Sequence, residues 1–92
     1  MTATSFHAPR LASGVRLRWD QVRERTVLLF PEGAVTLNST AADVLELCDG
    51  KRTLEDIVAE LASRYGGADV RPDVENLLGA LAARGLVVDD DA

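Results

Sequence analysis

Few side chains in this sequence are of the types that carry out catalysis or hold a metal ion. The chain has one histidine, His7, and one cysteine, Cys48. A cysteine nucleophile needs a base beside it, and zinc is usually held by several Cys and His ligands. His7 lies near the start of the chain, and Cys48 falls on the apolar stripe of a predicted helix. We therefore expect no catalytic residue and no metal site.

The carboxylates and glycines do not change this expectation. Solvation and the helix dipole explain the acidic side chains at predicted helix ends and outward faces, which are Glu46, Asp49, Glu55, Asp56 and Glu60. The Gly66-Gly67 pair lacks the spacing of a phosphate-binding loop. We expect a protein that is not an enzyme and that uses no cofactor.

Length and composition favour one domain. The 92 residues are 47% apolar and 27% charged, which suits a single core. Cys48 has no second cysteine with which to form a disulfide, and no apolar run is long enough to cross a bilayer. The first residues lack the apolar region of a secretory signal. These features predict one domain over residues 1–92, a cytoplasmic location and no membrane partner.

The net charge of −5 is unevenly distributed along the chain. The part up to Phe30 carries +3, and the part from Pro31 onward carries −8. Because nucleic-acid binding depends on clustered basic side chains, the acidic part would repel a duplex. We expect no nucleic-acid partner.

Three short strands are predicted before residue 38. Val15, Leu17 and Trp19 alternate with arginines, which is typical of a strand with one buried face and one wet face. A β-branched and apolar run over residues 26–30 predicts a second, more buried strand. A proline and glycine turn then leads to a third strand over residues 34–37.

Apolar spacing changes to that of helices from Asn38 onward. Asn38, Ser39 and Thr40 offer caps for the first helix, and Thr53 with Asp56 forms a capping box for the second. The third helix starts near Pro72 and ends before Gly85. The predicted core positions of the three helices are Ala41, Val44, Leu45, Cys48, Leu54, Ile57, Val58, Leu61, Val74, Leu77, Leu78 and Leu81.

These elements predict an α+β fold that is winged-helix-like, with a three-stranded antiparallel meander followed by a three-helix bundle. Residues 1–13 are expected to form a flexible leader and residues 14–37 the meander. Residues 38–88 are expected to contain the three helices, and residues 89–92 an acidic tail.

The predicted third strand has a free edge, because a meander pairs it on one side only. A peptide could add there as a further strand, with main-chain hydrogen bonds supplying affinity. Asp73, Leu77, Ala80 and Arg84 fall in one row of the third helix and would form the wall of such a site. The same row is equally well explained as the solvated shoulder of a helix.

Other functions stay open from the residues alone. Winged-helix regulators bind DNA, although Asp73 and Glu75 stand where a recognition helix presents basic or amide side chains. A structural subunit without a peptide site is a further alternative. A phosphopantetheine carrier is disfavoured because neither Ser39 nor Ser63 stands in an Asp-Ser-Leu context.

The motifs of the chain resemble those of a known family. A PEG-x-V-x-LN element spans residues 31–38, and a DG-x-x-T element spans residues 49–53. Both elements, in this order and spacing, resemble PqqD, the small protein D of pyrroloquinoline quinone biosynthesis. The similarity runs from about Pro9 to Val88.

The resemblance implies a function that the periodicity does not. PqqD-like proteins are peptide chaperones that bind the precursor peptide PqqA and present it to the radical S-adenosylmethionine enzyme PqqE. Related recognition domains hold a leader peptide between their third strand and third helix. By this resemblance, Val35, Thr36 and Leu37 would pair with the peptide, and Asp73, Leu77, Ala80 and Arg84 would line its wall. The chain itself is expected to be a monomer or a homodimer.

Overall fold

The computed structural model describes residues 6–90. Two antiparallel sheets and three helices make up this part of the chain. In chain order the elements are β1 (Pro9–Leu11), β2 (Arg16–Asp20), β3 (Arg25–Phe30), β4 (Gly33–Thr36), α1 (Ser39–Glu46), α2 (Leu54–Arg64), α3 (Arg71–Ala83) and β5 (Val87–Asp89). The predicted α+β architecture, with a three-stranded meander before three helices, is confirmed.

The larger sheet has the strand order β2-β3-β4 and is antiparallel throughout. Leu17, Leu28 and Val35 pair across its three strands and form a row that packs against the helical core. Trp19 lies on the same face but is 59% exposed, so the prediction that it is buried is wrong. The helices leave this end of the sheet uncovered.

Local capping signals place the helices where the sequence predicts them. The Asn38 side chain accepts a hydrogen bond of 2.8 Å from the Ala41 backbone N–H and caps α1. Thr53 and Asp56 form the complete capping box of α2, with both bonds at 3.1 Å. α3 has no side-chain cap and begins with Pro72 in its first turn, where the missing N–H has no consequence.

The core lies between the larger sheet and the three helices. Fully buried side chains come from β3, from all three helices and from the β1–β5 pair, and the largest are Leu28, Leu45, Ile57, Leu61 and Leu78. Three predicted core positions, Ala41, Val58 and Leu77, are only half-buried and pack against the margin of the core. No helix in the part of the chain that the structure describes combines the length and apolarity needed to span a bilayer.

The predicted flexible leader over residues 1–13 is wrong for its described part. Pro9–Leu11 pairs antiparallel with Val87–Asp89, and Phe6 is 8% exposed within the core. Two strands of three residues each carry too little alternation to be recognised. They also come from opposite ends of the chain, so no local pattern announces their pairing. Residues 1–5 lie outside the described residues.

The predicted acidic tail over residues 89–92 also differs from the structure. Asp89 ends β5, and its carboxylate accepts backbone N–H bonds from His7, at 2.9 and 3.0 Å, and from Ala8, at 2.8 Å. An acidic side chain is therefore used here to hold the N-terminal segment in place. Residues 91–92 lie outside the described residues.

Candidate functional site

Strand β4 lies at one edge of the larger sheet, and its hydrogen-bond pattern fixes which groups face outward. The Leu37 N–H donates to the Thr26 carbonyl at 2.9 Å. In an antiparallel pair, hydrogen-bonded and non-hydrogen-bonded residue pairs alternate. Since Val27 pairs with Thr36 next along the strands, the N–H and C=O of Thr36 point away from β3.

The same alternation applies to the rest of β4. Leu28 and Val35 form a hydrogen-bonded pair, whereas Leu29 and Ala34 do not. The main-chain groups of Ala34 therefore also face the open edge. An incoming strand would find donors and acceptors at two alternate residues, Ala34 and Thr36, whose side chains are both exposed.

This pattern divides the three residues predicted to pair with a peptide. Thr36 offers its main-chain groups to the open edge, as predicted. The N–H groups of Val35 and Leu37 bond to β3, and both side chains pack with the core, so for these two residues the geometry does not fit main-chain pairing. Sequence reasoning missed Ala34, because alternation can be applied only once one hydrogen-bonded pair is known.

Helix α3 runs beside β4 in the opposite direction. At its C-terminal end, the Arg84 guanidinium lies 5.4 Å from the centroid of the Phe30 ring, and Phe30 pairs with Gly33 at the start of β4. At its N-terminal end, Asp73 lines a cavity together with Asn38, which follows β4. The two ends of α3 therefore lie near the two ends of β4, and we call the space between the open edge of β4 and α3 the groove.

The two walls of this groove have matching lengths. The 11 helical steps from Asp73 to Arg84 span roughly 16 Å at ~1.5 Å per residue. The strand steps from Gly33 to Asn38 span roughly 17 Å at ~3.4 Å per residue. The groove is thus long enough for about five extended residues. Its two ends carry opposite charges, with Asp73 at one end and Arg84 at the other.

A cavity of about 320 Å³ opens at the Asp73 end of the groove. The apolar side chains of Ala41, Val44 and Leu77 line it, with polar groups from Asn38, Thr40 and Asp73. This lining can take one side chain with an apolar body.

The four predicted wall residues differ in their surroundings. Asp73 and Leu77 both line the cavity, whereas Ala80 and Arg84 do not. Ala80 is exposed and follows Leu77 along the same face of α3, and Arg84 stacks on Phe30 at the far end. A role for these four residues in peptide contact stays a prediction.

A second open edge exists on β2. There the alternation leaves the main-chain groups of Leu17 and Trp19 facing outward. A cavity of about 570 Å³ lies between Trp19 and α1, and it has acidic residues, Asp43 and Glu46, on the α1 side. One of these, Asp43, accepts a hydrogen bond from the Tyr65 hydroxyl, and this bond raises the pKa of Tyr65. The smaller cavity joins Asn38, which follows β4, to Asp73 and Leu77 of α3, so we take the β4 edge as the candidate for strand addition.

The thiol of Cys48 is buried and stays protonated near neutral pH. Burial, followed by the charge of Asp49, raises the pKa of its thiol to about 12, and the thiol donates to the Val44 carbonyl at 3.3 Å. Among the described residues, no group of three or more His, Cys, Asp or Glu side chains is placed to hold a metal ion. The groove can therefore bind and orient a chain, but Cys48 cannot serve it as a thiolate near neutral pH.

The Cys48 thiol is expected to resist alkylation in the folded protein. At pH 8, iodoacetamide should modify it at least about 100-fold more slowly than in urea, because only the thiolate reacts. The unfolded thiol, with its ordinary pKa of 9.0, loses its proton before the folded one does. The free energy of unfolding should therefore fall as the pH rises from about 9 to about 12. Equal alkylation rates in buffer and urea would contradict the burial of this thiol.

A family model for coenzyme PQQ synthesis protein D (PqqD) matches residues 25–87. The PqqA binding protein of Methylococcus capsulatus is 40% identical over 73 residues, which cover 79% of this chain and 78% of that protein. The PqqA binding protein of Klebsiella pneumoniae is 48% identical over 72 residues, which cover 75% of this chain and 76% of that protein.

A solved structure shows the same fold. It is the solution NMR structure of the PqqD truncation of Methylobacterium extorquens PqqCD, described as a functional and stand-alone RiPP recognition element. Its TM-score with this chain is 0.77 at 37% sequence identity, and the match covers 92% of this chain and 96% of that one.

Proposed function

Because the chain belongs to the PqqD family of coenzyme PQQ synthesis proteins, we propose that it binds the precursor peptide PqqA as an added strand on β4. In this proposal it then presents the peptide to the radical S-adenosylmethionine enzyme PqqE. Two relatives are named PqqA binding proteins, which supports the choice of peptide. The observation that carries the mode of binding is the outward-facing main chain of Ala34 and Thr36 beside α3.

The geometry suits a peptide bound mainly through its backbone. Ala34 and Thr36 each supply one donor and one acceptor, so the edge accommodates many sequences in the same extended form. Selectivity then comes from alternate side chains, which point to opposite faces of the enlarged sheet. The side chains directed at α3 meet Leu77 and the cavity beside it.

The contribution to the reaction is positional. Holding a flexible peptide in extended form next to an enzyme raises its effective concentration and lowers the entropy lost at the chemical step. Such a protein needs affinity and a defined peptide register, and the groove supplies both without a reactive side chain. The DNA-binding alternative has less support, because Arg71 in the first turn of α3 pairs with Glu55 and Glu75.

An NMR titration of the backbone amides with PqqA tests this proposal. We expect a Kd between about 10⁻⁸ and 10⁻⁵ M. The largest shifts should fall on Ala34, Thr36 and the 73–84 face of α3, and the Thr36 amide should become protected from solvent exchange. Absence of binding, with or without PqqE, would overturn the function. Shifts centred on the β2 edge would overturn the proposed site.

A further inference from the structure

The arginines of this chain fall into two groups by their partners. Nine are present, and five of them have a described partner for the guanidinium: Arg10, Arg52, Arg64, Arg71 and Arg84. Within residues 6–90, the remaining four make no side-chain hydrogen bond, ion pair or ring contact. They are Arg16, Arg18, Arg23 and Arg25, and all four are exposed. The unpartnered arginines are therefore also neighbours in the chain.

Pairing across the sheet places most of these arginines on one surface. Arg16 pairs with Leu29 and Arg18 with Val27, on the face of the sheet opposite the helical core. Arg25 lies at the end of β3, where it pairs with Asp20 and also borders the cavity beside Trp19, and Arg23 stands in the adjoining turn. We call this surface, made of Arg16, Arg18, Arg23 and Arg25, the arginine face. The half-buried Leu29 gives it an apolar centre.

The arginine face is continuous with the candidate peptide site. Beyond β3 the same side of the sheet presents only the small side chains of Ala34 and Thr36. A peptide strand added to β4 would extend this surface, and every second peptide side chain would lie on the same side of the sheet as the arginine face. Strand spacing puts the peptide about 14 Å from β2. A protein that covered the face would touch the arginines and those peptide side chains together.

We propose that the arginine face docks an acidic surface of the enzyme that modifies the bound peptide. This rests on the proposed function, in which that enzyme is PqqE. Guanidinium groups bind carboxylates through two parallel hydrogen bonds, and arginine is enriched in protein interfaces. The four side chains are free to do so because no described carboxylate holds them.

Charge distinguishes an acidic protein from nucleic acid as the partner. Asp20 and Glu24 border the arginine face, and the chain from Pro31 onward carries −8. A nucleic acid is long, so its phosphates would extend beyond the arginines and be repelled by these acidic residues. A compact acidic patch on a protein would contact the arginines alone. The face therefore matches a patch of limited extent.

The test compares two charge-matched double variants. The first variant, Arg16→Glu with Arg18→Glu, reverses two charges of the arginine face. The control variant, Arg52→Glu with Arg64→Glu, changes the net charge by the same amount. Arg52 precedes α2, and Arg64 lies in it. Binding of each variant to PqqE is measured by titration without peptide at low and physiological salt, and binding to PqqA is measured separately. We expect the first variant to lose about tenfold or more in affinity for PqqE. It should keep its PqqA affinity within about twofold, and the second variant should keep both.

Three outcomes would overturn the inference. They are wild-type protein that does not bind PqqE even at low salt, equal loss in both double variants, and tight binding of duplex DNA at physiological salt that the first variant abolishes. Unchanged PqqA binding in the first variant shows that it is folded. Failure of PqqA to bind the wild type would instead refute the proposed function, and the PqqE comparison would still report on the arginine face.

Discussion

Replacing Thr36 by proline will abolish most peptide binding and leave the fold intact. The Thr36 N–H points away from β3, so its loss removes no bond of the folded protein. Proline is tolerated on an edge strand in this orientation. For an added strand, however, the change removes a donor, leaves a peptide carbonyl unpaired and places the proline ring in the path of the peptide. We expect PqqA affinity to fall by about 10- to 100-fold.

Two further variants make this result specific. Thr36→Val keeps the backbone N–H and the shape of the side chain, so it should bind PqqA as the wild type does. Val35→Pro removes an N–H that bonds to Leu28 inside the sheet, so it should lose stability rather than binding alone. Circular dichroism melts and calorimetric titrations separate these effects. A folded Thr36→Pro protein that binds PqqA with wild-type affinity would exclude strand addition at β4.

Deleting residues 1–11 will leave the protein largely unfolded at 25 °C. The deletion removes β1 and the buried Phe6, Ala8 and Pro9, and it exposes the inner edge of β5. Loss of one buried aromatic side chain costs about 3–5 kcal/mol, and a domain of this size has only about 5–15 kcal/mol of stability. Urea titration followed by far-UV circular dichroism measures the loss.

A point variant of the same contact serves as the comparison. Asp89→Ala removes the carboxylate that accepts the His7 and Ala8 N–H bonds but keeps β1 itself. It should cost about 1–2 kcal/mol, because backbone donors lose a charged acceptor. A deletion variant within about 1 kcal/mol of the wild type would mean that β1 contributes little. A fragment trimmed to residues 25–87, the extent of the family match, should fold poorly because it lacks β1 and β2.

Local chemistry made much of the fold predictable. Asn38 caps α1, and the Thr53 and Asp56 pair caps α2, because each signal lies within a few residues of the backbone groups that it satisfies. The alternation of Leu17 with the arginines similarly defines β2. All residues of such a signal lie in or next to one helix or strand, so the signal can be recognised in a single sequence.

Features that depend on distant partners were not predictable in the same way. The β1–β5 pair joins opposite ends of the chain, and nothing near Pro9 announces its partner. The exposure of Trp19 depends on where the helices stop covering the sheet. The roles of Ala34 and Val35 at the candidate site depend on one hydrogen-bonded pair, Thr26 with Leu37, which only the three-dimensional register reveals.

The pairing of β1 with β5 brings Pro9 and Asp89 side by side. A domain whose first and last strands enter and leave at one point can be spliced into a surface loop of a host protein without being pulled apart. It can equally be closed into a ring and reopened at another loop as a circular permutant. New ends at the exposed turn between α2 and α3, around Gly66, would leave both β4 and the arginine face untouched.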